Sequence, residues 1–335
     1  MNILVTGGLG FIGSHTVVEL INEGYNVVIV DNLCNSKIEV LDKIEKITKV
    51  RPKFYQINLL TIEDLRKVFV ENEIDSVIHF AGLKAVGESI SMPLEYYDNN
   101  ITGTLNLLKC MRENNVKKIV FSSSACVYGF PKSNPIDENS PCNLATNPYG
   151  RTKCFIEDIL KDLYTSDNSW SITILRYFNP VGAHSSGLLG EDPNGIPNNL
   201  MPFILRVAEG KTDKLHIFGN DYDTADGTCI RDFIHVVDLA RGHVKAIAHM
   251  ENNETPSIDI YNLGTGKGTS VLELVNAFNN INGNLVEYVY DARRPGDVPV
   301  NYAKTDKAKA ELGFECTLDI NDMCRDAWNF SKHKK

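Results

Sequence analysis

The chain has 335 residues, 43% of them hydrophobic and 23% charged, with a net charge of −9. That length can bury a large core without a metal or disulfide staple. The acidic balance excludes broad binding to nucleic acid or anionic membranes, though not an anionic ligand held by a few local arginines.

The first residues, Met-Asn-Ile-Leu-Val-Thr, read as a strand rather than a basic-then-apolar leader. No apolar run approaches membrane-spanning length, so a soluble cytoplasmic protein is expected. Short β-branched runs follow at 3–5, 27–30, 54–56, 77–80, 119–122 and 172–175, several of them apolar without alternation, as buried parallel strands require. Helical patterns fill the gaps at 11–22, 37–48, 62–71, 94–114 and 148–164. This alternation predicts an α/β fold, a doubly wound parallel sheet with helices on both faces. Beyond Arg176 the pattern loosens into a Gly-, Pro-, Asn- and Asp-rich stretch over 179–229, with a helix expected near 199–209. A strand at 230–235 and a helix at 236–250 come next, then alternating segments at 259–263, 270–281, 286–290 and 317–330. The expected organisation is a dinucleotide-binding domain over 1–178 plus about 230–258, and a smaller α/β substrate lobe over 179–229 and 259–335. Eight irregularly spaced cysteines with no C-x-x-C pair read as reduced thiols, and no metal site is expected.

Gly7-Gly8-Leu9-Gly10-Phe11-Ile12-Gly13 joins the first strand to the first helix. Glycines let the backbone turn tightly and approach a pyrophosphate, whose charge the helix N-terminus favours. Such a turn alone is a weak signal. Asp31, at the end of the second strand, strengthens it, because a carboxylate there binds an adenosine ribose and repels the extra phosphate of NADP. The following Asn32-Leu33-Cys34-Asn35-Ser36 contains no Arg, so the expected cofactor is NAD.

Tyr149 and Lys153 lie four apart behind Pro148, a residue suited to a first helical position. A Lys ammonium near a phenol that ordinarily titrates near ~10 would favour the phenolate and make a base. Ser124 ends a serine run at the carboxyl end of the strand at 119–122, where ligands of such sheets bind. On its own a Tyr–Lys pair is more often a solvated helix face; the upstream loop is what gives it meaning.

These motifs, with GGLGFIGSH (7–15), HFAGLKAVGES (79–89), PLEYYDNN (93–100), FSSSACVYG (121–129), NPYGRTK (147–153), LRYFNPVGAH (175–184), RDFIHVVDLA (231–240) and RRPGD (293–297), cover essentially the whole chain. The chain resembles the extended short-chain dehydrogenases/reductases, and among them the nucleotide-sugar 4-epimerases. The resemblance implies a Rossmann-type fold and reversible 4-epimerisation of UDP-galactose and UDP-glucose with tightly bound NAD. Tyr149 would take the proton of the sugar 4-hydroxyl as the 4-hydride leaves to NAD. The 4-keto sugar would turn over and receive the hydride on its other face. Ser124 would orient the hydroxyl, and Lys153 would bind the nicotinamide ribose and depress the Tyr149 pKa.

Cofactor contacts implied by the resemblance are Gly7, Gly10, Phe11, Ile12 and Gly13, then Asp31, Asn32, Asn35, Ser36, Asn58 and Leu59, then Phe80, Ala81, Gly82, Lys84, Asn99 and Phe178, besides the catalytic three. Substrate contacts are Asn179, Asn199, Leu200, His216, Phe218, Arg231, Arg294, Asp297 and Asn301, with Lys84, Ser124 and Tyr149 shared. Guanidinium forks such as Arg231 and Arg294 suit a diphosphate. A homodimer through the helices near 94–114 and 149–164 is also implied.

Three positions depart from the family pattern. Asn58 stands where Asp is frequent, with little change expected. Cys126 stands where Thr is common and reads as a small buried residue. Asn301 stands at the edge of the sugar pocket, where some members carry Tyr and refuse N-acetylated sugars; weak turnover of UDP-N-acetylglucosamine and UDP-N-acetylgalactosamine stays open. Two alternatives are a nucleotide-sugar 4,6-dehydratase or decarboxylase and a non-enzymatic NAD-binding regulator. Elimination needs an Asp-Glu pair after the strand serine, and this chain has Ala125-Cys126. A regulator would typically lose Tyr149 or Lys153.

Overall fold

The structure is a computed structural model that describes all residues except 143, 144, 196, 198, 254, 295 and 335. The chain divides into two compact units. The first comprises Met1–Gly129, Pro141–Tyr177 and Ala240–Tyr261, the second Phe130–Ser140, Phe178–Leu239 and Asn262–Lys335.

In the first unit strands and helices alternate: β1 (Asn2–Thr6), α1 (Phe11–Asn22), β2 (Asn26–Asp31), α2 (Glu39–Thr48), β3 (Lys53–Gln56), α3 (Ile62–Glu71) and β4 (Ser76–His79). After α4 (Val86–Ser91), α5 (Pro93–Tyr97) and α6 (Gly103–Glu113) come β5 (Lys118–Ser124), α7 (Pro148–Ser166) and β6 (Ser171–Tyr177). The second unit holds β7 (Asn179–Val181), α8 (Leu200–Ala208), β8 (Leu215–Phe218), β9 (Ile230–Arg231) and β10 (Phe233–His235). The chain then runs through α9 (Val236–Asn252) and β11 (Ile258–Leu263) to β12 (Thr269–Ser270), α10 (Val271–Asn282), β13 (Tyr288–Asp291), β14 (Val300–Asn301), α11 (Asp306–Leu312) and α12 (Ile320–His333).

The main sheet has the order β11-β6-β5-β4-β1-β2-β3, and β1 to β6 pair in parallel. Its inner strands are buried along their length, which is why they read as unbroken apolar runs. Leu4, Val77, Ile119, Phe121, Leu107 and Trp170 form its core with the covering helices. Strand order reverses between β1 and β4, and the crevice outside the carboxyl ends of these strands is where such sheets bind ligands. A separate core in the second unit gathers Met201, Ile204, Phe233, Leu274, Phe278 and Met323.

Helix ends follow local chemistry. Asn147 caps α7 through its Oδ1, which accepts from Gly150 N at 2.8 Å, with Pro148 in the first turn. Reciprocal capping boxes start α10 (Ser270, Glu273) and α12 (Asp319, Asp322).

The structure differs from the sequence reading in specific places. The helix expected over 94–114 is interrupted by a π-type turn at Asp98–Thr102. The strand expected over 230–235 breaks at Asp232, whose side chain is engaged elsewhere. The segment 259–263, expected in the smaller lobe, belongs to β11 at the edge of the main sheet. Residues 130–140, expected in the first domain, fall in the second unit, where Ile136 N donates to Tyr302 O at 2.9 Å and Ile136 bridges Ala303. The elements α4, β8 and α11 were not anticipated. Two have few apolar residues, and β8 has four residues, too short for periodicity to register.

Candidate active site

The loop between β1 and α1 depends on glycine at two points. Gly7 has φ +71°, and a Cβ there would come 2.8 Å from Ala81 N; a Cβ on Gly13 would come 2.2 Å from Gly7 O. No side chain caps α1, so its first-turn N–H groups and positive dipole end are available to an anion. Behind the loop stands Asp31, buried at the end of β2. Its carboxylate accepts from Leu9 N (3.1 Å), Leu33 N (2.9 Å) and Ser36 Oγ (2.8 Å), tying the glycine loop to the turn that also carries Asn35. Asn32 Oδ1 accepts from Cys34 N in that turn. After β3, Asn58 Oδ1 accepts from Leu60 N, and the buried Leu59 presents its carbonyl to Asn106 Nδ2 at 2.9 Å. A glycine cradle at an uncapped helix end with a buried carboxylate one strand over suits the pyrophosphate and ribose of a dinucleotide.

Phe80, Ala81, Gly82 and Lys84 follow β4. The amides of Phe80 and Ala81 donate to Thr6 O, each at 3.1 Å. His79, fully buried, bridges Thr6 Oγ1 (2.7 Å) and Thr104 Oγ1 (2.8 Å), and burial lowers its pKa to about 3, so the bridge is a neutral imidazole. The main organiser here is Asn100, in the π-type turn. Its Oδ1 accepts from Leu83 N (2.7 Å), and its Nδ2 donates to Leu83 O and Thr152 Oγ1, each at 3.0 Å. It links the segment carrying Lys84 to the helix carrying Tyr149 and Lys153, while Asn99 Nδ2 donates to it at 2.9 Å. Tyr96 adds a second clamp, its hydroxyl accepting from Ala85 N at 3.0 Å. The sequence reading named Asn99 and missed Asn100 and Tyr96; the only cue was the tandem Tyr-Tyr and Asn-Asn of 96–100.

Ser124 and Tyr149 are both buried, and Ser124 lies near enough to the phenol to favour its ionised form. The expected depression of the Tyr149 pKa is not observed. Burial, then Tyr177 and Cys126, raises the phenol well above its ordinary value, with Ser124 pulling the other way. Lys153 sits 6.0 Å from the centre of the Tyr149 ring and donates instead to Ser122 O at 2.7 Å. Burial lowers its own pKa to about 8, against Glu157 and Cys126. Cys126 is half-buried rather than buried, and its N–H donates to Ser124 Oγ at 3.2 Å. None of the eight cysteines forms a disulfide.

Beneath this pair lies a buried ionic network. Glu157, one turn after Lys153, accepts from Ser123 Oγ at 2.6 Å and from Arg176 Nη2 at 2.6 Å; Arg176 Nη1 donates to Tyr128 Oη at 3.1 Å. The network fixes α7 against β5 and β6.

In the second unit, Arg231 and Arg294 converge on one carboxylate. Arg294 Nε donates to Asp297 Oδ2 at 3.0 Å, and Arg231 Nη2 lies 3.8 Å from Asp297 Oδ1. Arg294 also stacks 5.0 Å over Phe218, which shares the exposed face of β8 with His216. His216 Nδ1 pairs with Asp291 Oδ2 at 2.8 Å. Asn301 on β14 lies opposite Arg231 on β9. Asn199 begins α8 with Leu200 and donates to Glu191 Oε1 at 2.8 Å. Phe178 is buried, and Asn179 is exposed at the start of β7.

Residues 3–264 match the model of the NAD dependent epimerase/dehydratase family. A UDP-glucose 4-epimerase of Bacillus subtilis is 57% identical over 330 residues, spanning 98% of this chain and 96% of its own length. The crystal structure of the UDP-glucose 4-epimerase from Bifidobacterium longum in complex with NAD+ and UDP superposes with a TM-score of 0.95 at 52% identity, covering 99% of this chain and 98% of that one. The enzyme from Stenotrophomonas maltophila, with bound NAD and formylated UDP-arabinopyranose, gives a TM-score of 0.97 at 46% identity over 100% and 98% of the two chains. The chain belongs to the NAD dependent epimerase/dehydratase family and groups there with the UDP-glucose 4-epimerases.

Proposed function

We propose that the protein interconverts UDP-galactose and UDP-glucose by inverting the configuration at sugar C4. The observation that carries this reading is the Tyr149–Ser124 pair, buried at the carboxyl end of β5 and followed by Ala125 and Cys126. A base for one hydroxyl is present, and the second acid and base that water elimination would need at 125 and 126 are not.

The first-turn amides of α1 would hold the NAD pyrophosphate, Asp31 the adenosine ribose, and Lys153 the nicotinamide ribose. Bound there, NAD would supply a hydride acceptor and donor for sugar C4 and a positive charge that favours the Tyr149 phenolate. Tyr149 takes the proton from the 4-hydroxyl oxygen and later gives it back, while Ser124 hydrogen-bonds that oxygen. Lys153 reaches its role by leaving or sharing the Ser122 carbonyl. Arg231 and Arg294 would hold the diphosphate, which exchanges for Asp297 as their counter-ion. The assay is incubation with UDP-galactose and detection of UDP-glucose, using protein shown to hold NAD and with none added. Interconversion is expected; its absence in NAD-loaded protein would sink the reading.

Asn301 bears on sugar choice. Turnover of UDP-galactose should exceed that of UDP-N-acetylgalactosamine, and Asn301→Tyr should abolish any turnover of the acetylated sugar while sparing UDP-galactose. Retained acetyl-sugar turnover in that variant would remove Asn301 from the pocket.

The homodimer is proposed from an exposed apolar surface on α4, α5 and α7. Ile90 is 66% exposed, Leu94 77% and Phe155 48%. A second copy presenting the same face would cover them. Light scattering should give twice the 37.4 kDa chain mass, and Leu94→Glu should shift the protein toward the monomer. A monomeric unmodified protein would contradict the proposal.

A further inference from the structure

Asp232 occupies the middle of what reads as one continuous strand, between Arg231 and Phe233, and is fully buried. Each of its polar atoms is spoken for. Oδ1 accepts from Thr265 N and Thr265 Oγ1, both at 2.7 Å; Oδ2 accepts from Gly266 N and Ala303 N, both at 3.1 Å. Its main-chain N–H donates to Asn301 O at 3.1 Å, and its carbonyl accepts from Asn179 N at 2.9 Å. A Cβ on Gly264 would come 2.4 Å from Oδ2, so the neighbouring turn is shaped around this carboxylate.

Three chain segments meet at this one residue. β7 begins at Asn179, β9 ends at Arg231, and β14 ends at Asn301. We propose that Asp232 is a positioning residue that sets Asn179, Arg231 and Asn301 relative to one another for binding the nucleotide sugar. This deepens the function proposed above and rests on its assignment of those three residues to the substrate. A carboxylate is suited to the task because it offers two acceptor oxygens and no donor, matching four converging N–H and O–H groups. Asparagine would put an NH₂ against two of those donors, leaving them unpaired, and the two-residue strands β9 and β14 have few other bonds to hold their register.

The test compares Asp232→Asn and Thr265→Val with the unmodified protein, measuring kcat and KM for UDP-galactose, the dissociation constant of UDP, and bound NAD. Asp232→Asn should raise KM and the UDP dissociation constant about 10-fold while kcat stays within about threefold, since Tyr149, Lys153 and Ser124 belong to the other unit. Bound NAD should be unchanged. Thr265→Val, which deletes the hydroxyl's bond to Asp232 Oδ1 together with its longer contacts to Lys267 N and O but keeps the Thr265 amide bond to Asp232, should raise KM about 2- to 3-fold. If Asp232→Asn does not fold, the Thr265→Val result decides: a raised KM supports the proposal and an unchanged one overturns it. A folded Asp232→Asn with UDP affinity and KM within twofold of the unmodified protein overturns it, as does a loss of kcat at constant KM. No epimerisation by the unmodified protein would instead defeat the functional reading, and UDP binding by the variants would still test the positioning role.

Discussion

Replacing Tyr149 with Phe is expected to lower kcat for UDP-galactose by at least about 100-fold, the loss of a general base. KM should change little, because in its proposed role the phenol hydroxyl handles one proton and the rest of the substrate contacts stay in place. The fold should survive, since the ring stays packed and only the oxygen leaves. Any cost from losing the hydroxyl should be on the order of 1 kcal/mol. The measurement is steady-state kinetics beside a thermal melt. A folded variant with normal kcat would take Tyr149 out of the mechanism. Because burial holds the phenol well above its ordinary pKa, its acid–base work depends on charge brought close to it during turnover. Lys153 lies 6.0 Å from the ring centre, with its ammonium bonded to Ser122 O rather than to the hydroxyl.

The second large effect concerns stability. Glu157→Ala should destabilise the protein by ~3–5 kcal/mol, because Arg176 is left as an uncompensated buried charge. Both side chains are 1% exposed, so solvent cannot substitute for the lost partner. The contact is a close bidentate one, with Arg176 Nε 3.0 Å from Glu157 Oε1 and Nη2 2.6 Å from Oε2. Removing both partners at once, as in Glu157→Met with Arg176→Met, should cost much less than either single loss. Urea unfolding of the three variants measures this. A Glu157→Ala midpoint close to that of the unmodified protein would contradict it.

The sequence made much of this site legible, and the reasons are physical. Glycines at 7, 10 and 13 and the carboxylate at 31 sit at fixed offsets from strands whose apolar runs are unmistakable. Asn147-Pro148 announces the start of α7, which puts Tyr149 and Lys153 on known turns. What could not be read depends on long-range placement. The Lys153 ammonium goes to the carbonyl of Ser122, 31 residues away, and no local pattern foretells that. The sign of the Tyr149 shift depends on how completely the phenol is buried, which the spacing does not contain. Asn100 acts through a π-type turn that helical periodicity smooths over. Asp232 hides in a strand-like run because its partners, Thr265, Gly266 and Ala303, lie 33 or more residues away. Residues 130–140 joined the second unit through pairing with 302–304, again a non-local choice.

The central claim is that one hydrogen leaves sugar C4 and returns to the same carbon on the opposite face, with Tyr149 handling only the hydroxyl proton. UDP-galactose deuterated at C4, incubated with the NAD-holding protein in ordinary water, tests this most directly. UDP-glucose that keeps deuterium at C4 is the expected product; UDP-glucose carrying solvent hydrogen there would contradict a hydride returned to the same carbon.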